Sequence, residues 1–146
     1  SHISEKGFWD AIELSKAPVI VSHANSRSVC DNKRNLTDSQ IRSVATKGGV
    51  IGVNFYPVFL NGTREASITD VIKHIEHMAG LVGTEAIGIG SDFDGIDCTP
   101  HGLAGVEGIQ DLINELLRLN YSETDVEKIA GGNFLRVIKK VEELKK

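Results

Sequence analysis

Two histidines, an aspartate, an asparagine and an arginine carry the chemistry this sequence could perform. His2 and His23 each follow a serine, Asp92 lies in Gly90-Ser91-Asp92-Phe93-Asp94-Gly95, Asn54 ends an apolar run, and Arg34 sits in Lys33-Arg34-Asn35. Neutral imidazoles brought side by side can share one Zn2+ at about 2.0 to 2.1 Å from each nitrogen, with carboxylates completing the shell. The glycines around Asp92 let the backbone turn sharply, and a carboxylate beside a metal-bound water is placed to move protons. Asp and Gly are also common turn formers, so Asp92 or Asp94 could equally cap the turn. The planar guanidinium of Arg34 suits a carboxylate fork, although a lone loop arginine is more often solvated. A histidine after a strand, taken singly, is more often an ordinary hydrogen-bonded residue than a ligand. The chemical reading therefore depends on whether the fold gathers these groups.

The chain alternates short Val/Ile-rich runs with longer segments of helical periodicity, the pattern of a parallel α/β fold. Ser1-His2-Ile3 reads as the tail of a first strand, followed by a short helix marked by Phe8, Ile12 and Leu14. Pro18 to His23 reads as a second strand buried on both faces, because its apolar run lacks alternation. A polar loop from Asn25 to Leu36 leads to a helix with Thr37 and Gln40 in capping-box spacing, stopped by Gly48-Gly49. Val50 to Phe55 is the third strand. A loop through Pro57 and Gly62 precedes a helix opened by Ser67 and Asp70, with Val71, Ile72, Ile75, Met78, Ala79 and Val82 on one face. Ala86 to Gly90 is the fourth strand, and three helices follow: one through Leu112, Leu116 and Leu119, one capped by Ser122 with Asp125, and one after Gly131-Gly132. His2, His23, Asn54 and Asp92 then all fall at strand carboxyl ends, which in a parallel barrel lie on one face.

His74 and His77 form a His-x-x-His on a helix, a spacing that invites a metal reading. At about 100° per residue His77 points away from the apolar stripe and His74 lies at its edge, so both are expected to be solvated on the outside of the barrel.

The chain has 146 residues and a formal charge of -4. It is long enough for one domain, and it lacks the clustered Lys/Arg that nucleic acid would require, so a small-molecule partner is expected. No stretch approaches the ~20 apolar residues of a membrane span and no signal peptide is legible, so a cytoplasmic protein is expected. Cys30 and Cys98 read as two unpaired thiols. The chain opens at Ser1 without a methionine, which suggests a trimmed or cleaved piece.

Four ordered blocks resemble the membrane (renal) dipeptidase family of zinc peptidases: Pro18 to Asn25, Asp31 to Leu36, Gly52 to Tyr56, and Gly88 to Gly95. Gly131-Gly132-Asn133-Phe134-Leu135-Arg136 is similar to that family's closing segment, where a packing role is expected. The resemblance implies the C-terminal half of a (β/α)8 TIM-type barrel, about four βα units plus C-terminal helices, as a single fragment over residues 1–146. It implies that His2 and His23 bind one zinc of a two-zinc centre, that Arg34 holds the substrate's terminal carboxylate, that Asp92 transfers protons, and that Phe59 stands at the substrate wall. The implied activity is hydrolysis of dipeptides by a metal-bridging hydroxide in the intact enzyme. A His-x-Asp metal pair, a bridging glutamate and a further histidine belong to the family's first half and are not in this sequence. The expected partners are thus a dipeptide and the missing N-terminal half, or a second copy associating edge to edge. Two alternatives stand beside this reading: a barrel amidohydrolase acting on acyl-amino acids or lactones, and a catalytically silent half-barrel.

Overall fold

The computed structural model describes residues 1–144. Three parallel strands form its sheet in the order β1-β2-β3: β1 is Ile20–Val21, β2 Val50–Asn54 and β3 Ile87–Ser91. Every residue of β2 is buried, as its unbroken apolar run requires, since strands lie on both its edges and helices over it. Between β2 and β3 the register shifts after Val53, so that Asn54 pairs with Ser91 and Gly90 is skipped. This bulge sits at the carboxyl end of the sheet and re-aims the residues that follow.

Helices alternate with the strands. Helix α1 (Glu5–Leu14) is capped by Ser4, whose hydroxyl accepts from the Gly7 amide, and it buries only Phe8. Helix α2 (Asp38–Thr46) opens on the expected capping box between Thr37 and Gln40 and buries Ile41 and Val44. Helix α3 (Pro57–Leu60) is a single turn. It lies in a segment expected to be loop; proline at its first position and the buried Leu60 make the short turn worthwhile. Helix α4 (Ile68–Val82) has the Ser67–Asp70 capping box and buries Val71, Ile72, Ile75 and Met78, each worth about 1.5–3 kcal/mol when fully removed from water. Helices α5 (Ile109–Arg118), α6 (Glu123–Glu127) and α7 (Asn133–Glu143) complete the chain and contribute Leu112, Leu116, Val126 and Val137. The closing segment does pack: the buried Asn133 donates to the carbonyls of Thr84 and Ile87 at 2.8 Å, and the Phe134 ring lies where a side chain at Gly88 would have to be.

Three expectations need correction. Ser1-His2-Ile3 forms no strand; the Ser1 hydroxyl donates to the His23 carbonyl and accepts from its amide, taking by side chain what a ladder would supply. The second strand is shorter than expected and Ile20 is 43% exposed, because β1 is an edge strand with no strand on its far side. His74 is fully buried, not solvated. The loop after β1 and the turn α3 cover that edge of α4, and both ring nitrogens find backbone partners there. His77 is partly exposed and pairs with Asp38 of α2 at 2.9 Å, which holds that carboxyl below its ordinary value.

Candidate functional site

The carboxyl ends of the strands carry the candidate residues. The Nε2 atoms of His2 and His23 face each other at 3.0 Å, with the rings edge to face. His23 lies two residues past the end of β1, and its ring Nδ1 lies 3.1 Å from the Ser22 hydroxyl, which helps set the ring plane. His2 reaches the same place from the opposite side through a left-handed backbone conformation, φ 57°. Asp92 also has left-handed backbone, φ 74°, and its Oδ2 stands 3.7 Å from His23 Nε2. The Arg34 guanidinium lies 3.1 Å from His2 Nε2 and 5.5 Å over the centre of the Phe59 ring. Phe59 in turn meets Tyr56 edge to face at 4.9 Å. The five residues singled out from sequence are therefore neighbours.

Burial of the His23 ring is the main cause that lowers its pKa, aided by His2, the N-terminal amine and Arg34 and opposed by Asp92. A neutral ring is the form that ligates a metal. Two nitrogens bonded to one ion at about 2.0 to 2.1 Å each stand close to the spacing seen between these imidazoles. Zinc therefore fits this donor pair, but the pair is incomplete: among the described residues no group of three or more His, Cys, Asp or Glu could hold an ion.

Asparagines fix the carboxylate. Asn54 Nδ2 donates to Asp92 Oδ2 at 3.0 Å, while Asn54 Oδ1 accepts from the Tyr56 amide. Asn25 in turn donates from Nδ2 to the Asn54 carbonyl and accepts at Oδ1 from the Asn54 amide, both at 3.0 Å. Asn25, Tyr56 and His74 were not picked out from sequence as parts of the site. The signal for Asn25 was its place two residues after His23; His74 stood out only through its His-x-x-His spacing with His77, and its helical phase was read as solvated.

One cleft borders the site without coinciding with the paired imidazoles. Its volume is about 520 Å³, and it runs from His2 and Arg34 past Ile20 and Leu36 to Phe8 and Gln40, without His23 or Asp92. It is a groove along the outer edge of β1. A second anchoring pair, Arg64 and Asp97 at 3.0 Å, ties the loop after β2 to the loop after β3.

The membrane dipeptidase family, peptidase family M19, matches over residues 1–146. Dipeptidase ataJ of Aspergillus terreus is 42% identical over 146 residues, covering 99% of this chain and 36% of that protein. A metallopeptidase of Rhodobacter sphaeroides, solved with a phosphinate mimic of the dipeptide L-Ala-D-Ala, superposes with a TM-score of 0.89 at 33% identity, covering 96% of this chain and 41% of that one. An amidohydrolase of Pseudomonas aeruginosa gives a TM-score of 0.88 at 29% identity, covering 97% and 51%. The chain spans between 35% and 53% of the length of the curated relatives it matches.

Proposed function

This chain belongs to the membrane dipeptidase family, peptidase family M19, and from that premise we propose that it supplies one side of the active site of a zinc-dependent dipeptidase. In this reading residues 1–146 are the C-terminal half of a (β/α)8 barrel, and the rest of the barrel brings the donors that complete a two-zinc centre. The observation that carries it is the convergence of His2, His23, Arg34 and Asp92 within hydrogen-bonding or near-bonding distance of one another at the strand ends. His2 and His23 would hold one zinc through their Nε2 atoms. When bound, zinc supplies Lewis acidity for attack on a carbonyl carbon.

The remaining steps belong to the chain's own side chains. Asp92 is held by Asn54 through Oδ2, so the carboxylate keeps one orientation beside His23; it takes the proton of the attacking water and returns it to the leaving amine. Arg34 presents a planar pair of donors to the substrate's terminal carboxylate, and its stacking on Phe59 limits where that carboxylate can sit. Tyr56 and Phe59 together form an aromatic wall beside it. The peptide-mimic complex of the Rhodobacter sphaeroides relative supports a dipeptide as the substrate class.

A second reading, an amidohydrolase of acyl-amino acids or lactones, is favoured by the Pseudomonas aeruginosa neighbour. Arg34 separates dipeptides from lactones, because a lactone offers it no free carboxylate, whereas an acyl-amino acid keeps one and is told apart by direct comparison of rates. The test compares free and C-terminally amidated dipeptides, acyl-amino acids and lactones, using the complete enzyme and its Arg34→Ala variant. The dipeptidase reading predicts that zinc-restored enzyme prefers free dipeptides and that Arg34→Ala raises KM for them while changing amidated substrates much less. Equal losses on both substrates would assign Arg34 a structural role, and a preference for lactones would replace the dipeptidase reading.

A further inference from the structure

Beneath the proposed chemistry lies a layer of polar side chains that it uses only at Asn54. Asn25, Ser26, Asn35, Asn54 and His74 are all 2% exposed or less. His74 comes from α4, and each of its ring nitrogens meets a backbone group. The Ser26 amide donates to Nδ1 at 3.1 Å, and Nε2 stands 2.9 Å from the Leu60 carbonyl. An amide N–H can only donate and a carbonyl can only accept, so the ring is held neutral with its proton on Nε2. One imidazole thereby fastens the loop after β1 to the end of α3.

Both ends of that fastening lead to the site. Ser26 follows Asn25, which exchanges two hydrogen bonds with the backbone of Asn54, and Asn54 holds Asp92. Leu60 follows Phe59, whose carbonyl accepts from the side chain of Asn35, the neighbour of Arg34. The same loop buries the Ser26 hydroxyl and Asn35 Oδ1 without hydrogen-bond partners. Such groups cost stability, so the loop keeps its shape against a penalty and depends on the bonds it does make.

We propose that His74 is a positioning residue, setting Asp92 through Asn25 and Asn54 and setting Arg34 and Phe59 through α3 and Asn35. This rests on the reading of Asp92 and Arg34 given above. It makes a different claim from ordinary core packing, because the two ring nitrogens do separable work.

Two substitutions separate them. In His74→Asn the amide oxygen lies near the place of Nδ1 and can still accept from Ser26, whereas in His74→Gln the amide nitrogen lies near the place of Nε2 and can still donate to Leu60. The complete enzyme and its His74→Asn, His74→Gln and His74→Phe variants are compared by dipeptide kinetics, thermal midpoint and hydrogen exchange at the Ser26 amide. His74→Asn is expected to keep kcat within about threefold, while His74→Gln and His74→Phe lower it by about tenfold or more, since small misplacements of reacting groups are costly. Faster exchange at Ser26 should accompany the loss in those two. Equal kcat in the Asn and Gln variants, or losses that simply follow the thermal midpoint, would overturn the proposal. If the unsubstituted enzyme hydrolyses no dipeptide, the functional reading fails on its own. The clamp is then judged by the NMR signals of the Asn54 side-chain amide, which must shift in His74→Gln; unchanged signals would overturn it.

Discussion

Asp92 shows at the scale of one residue how the chain prepares a carboxylate. Left-handed backbone in a residue other than glycine is uncommon, and three of the four such residues among those described are His2, Ser91 and Asp92. Strain of that kind persists where surrounding bonds enforce it, here the Asn54 amide on Oδ2. Asn can adopt the same backbone, so Asp92→Asn tests the charge with little change of shape. It should leave zinc content unchanged and lower kcat by roughly 10²- to 10⁴-fold, the usual range for a lost general acid or base; metal analysis and steady-state kinetics on one preparation check both. His74 makes a separate prediction at this scale. Burial pushes its pKa down from 6.5 to about 4, so the unfolded chain takes up a proton at higher pH than the folded one. The contribution is complete above pH 6.5 and is lost as pH falls toward 4, amounting to about 3 kcal/mol at most. Asp70, Lys73 and His77 on the same helix, and Asp38 opposite His77, are charged neighbours whose own effects stay when His74 is replaced. Urea denaturation at pH 4.5, 5.5 and 7.5 should therefore show a steeper loss in the unsubstituted protein than in His74→Asn; parallel curves would remove His74 from the acid response.

Elements place these residues by letting strand backbones approach closely. A Cβ at Gly52 would collide with the Ser22 carbonyl and stand 2.7 Å from the Cα of Gly90, so β1, β2 and β3 meet there without side chains. Gly52→Ala should lower stability by at least about 2 kcal/mol, because the obstacles are backbone and cannot step aside. A fall in the urea midpoint at constant slope would show it; an unchanged midpoint would mean that the close approach is dispensable. The strands and helices that bear on this crossing were legible where one signal sufficed: the apolar runs gave β2 and β3, and the Thr37–Gln40 and Ser67–Asp70 pairs gave the starts of α2 and α4. What was not legible depends on neighbours remote in sequence. Periodicity put His74 at the edge of a stripe, but Ser26 and Leu60 decide that this edge is covered. Likewise the composition of Pro18 to His23 could not show that its strand lies at the sheet edge, which exposes Ile20. The neighbourhood of His23, Asn54 and Asp92 is a property of parallel strand order that the alternation of elements already implied, whereas His2, expected at a strand end, reaches the others from a segment that forms no strand.

At the scale of the whole molecule the described residues form a sheet of three parallel strands. Both β1 and β3 present an outer edge, and Ile3 and Ile20 are largely exposed beside the groove that follows β1. Free strand edges and apolar surface invite pairing, so the proposed arrangement is closure by the other half of a barrel, with association of two copies as the substitute when that half is missing. No helix among the described residues is long and apolar enough to cross a membrane. In the proposed arrangement His2 and His23 are part of a metal site whose other donors lie outside this chain. Two neutral ligands hold zinc poorly, since lasting sites normally use three or four protein donors. The direct measurement is the zinc retained per folded chain after dialysis, first for the 146-residue protein alone and then with the N-terminal half of a family member added. Almost none is expected alone, and two zincs per pair with dipeptide hydrolysis once the halves combine. Two tightly held zincs and ordinary turnover in a monomer of this chain by itself would contradict it.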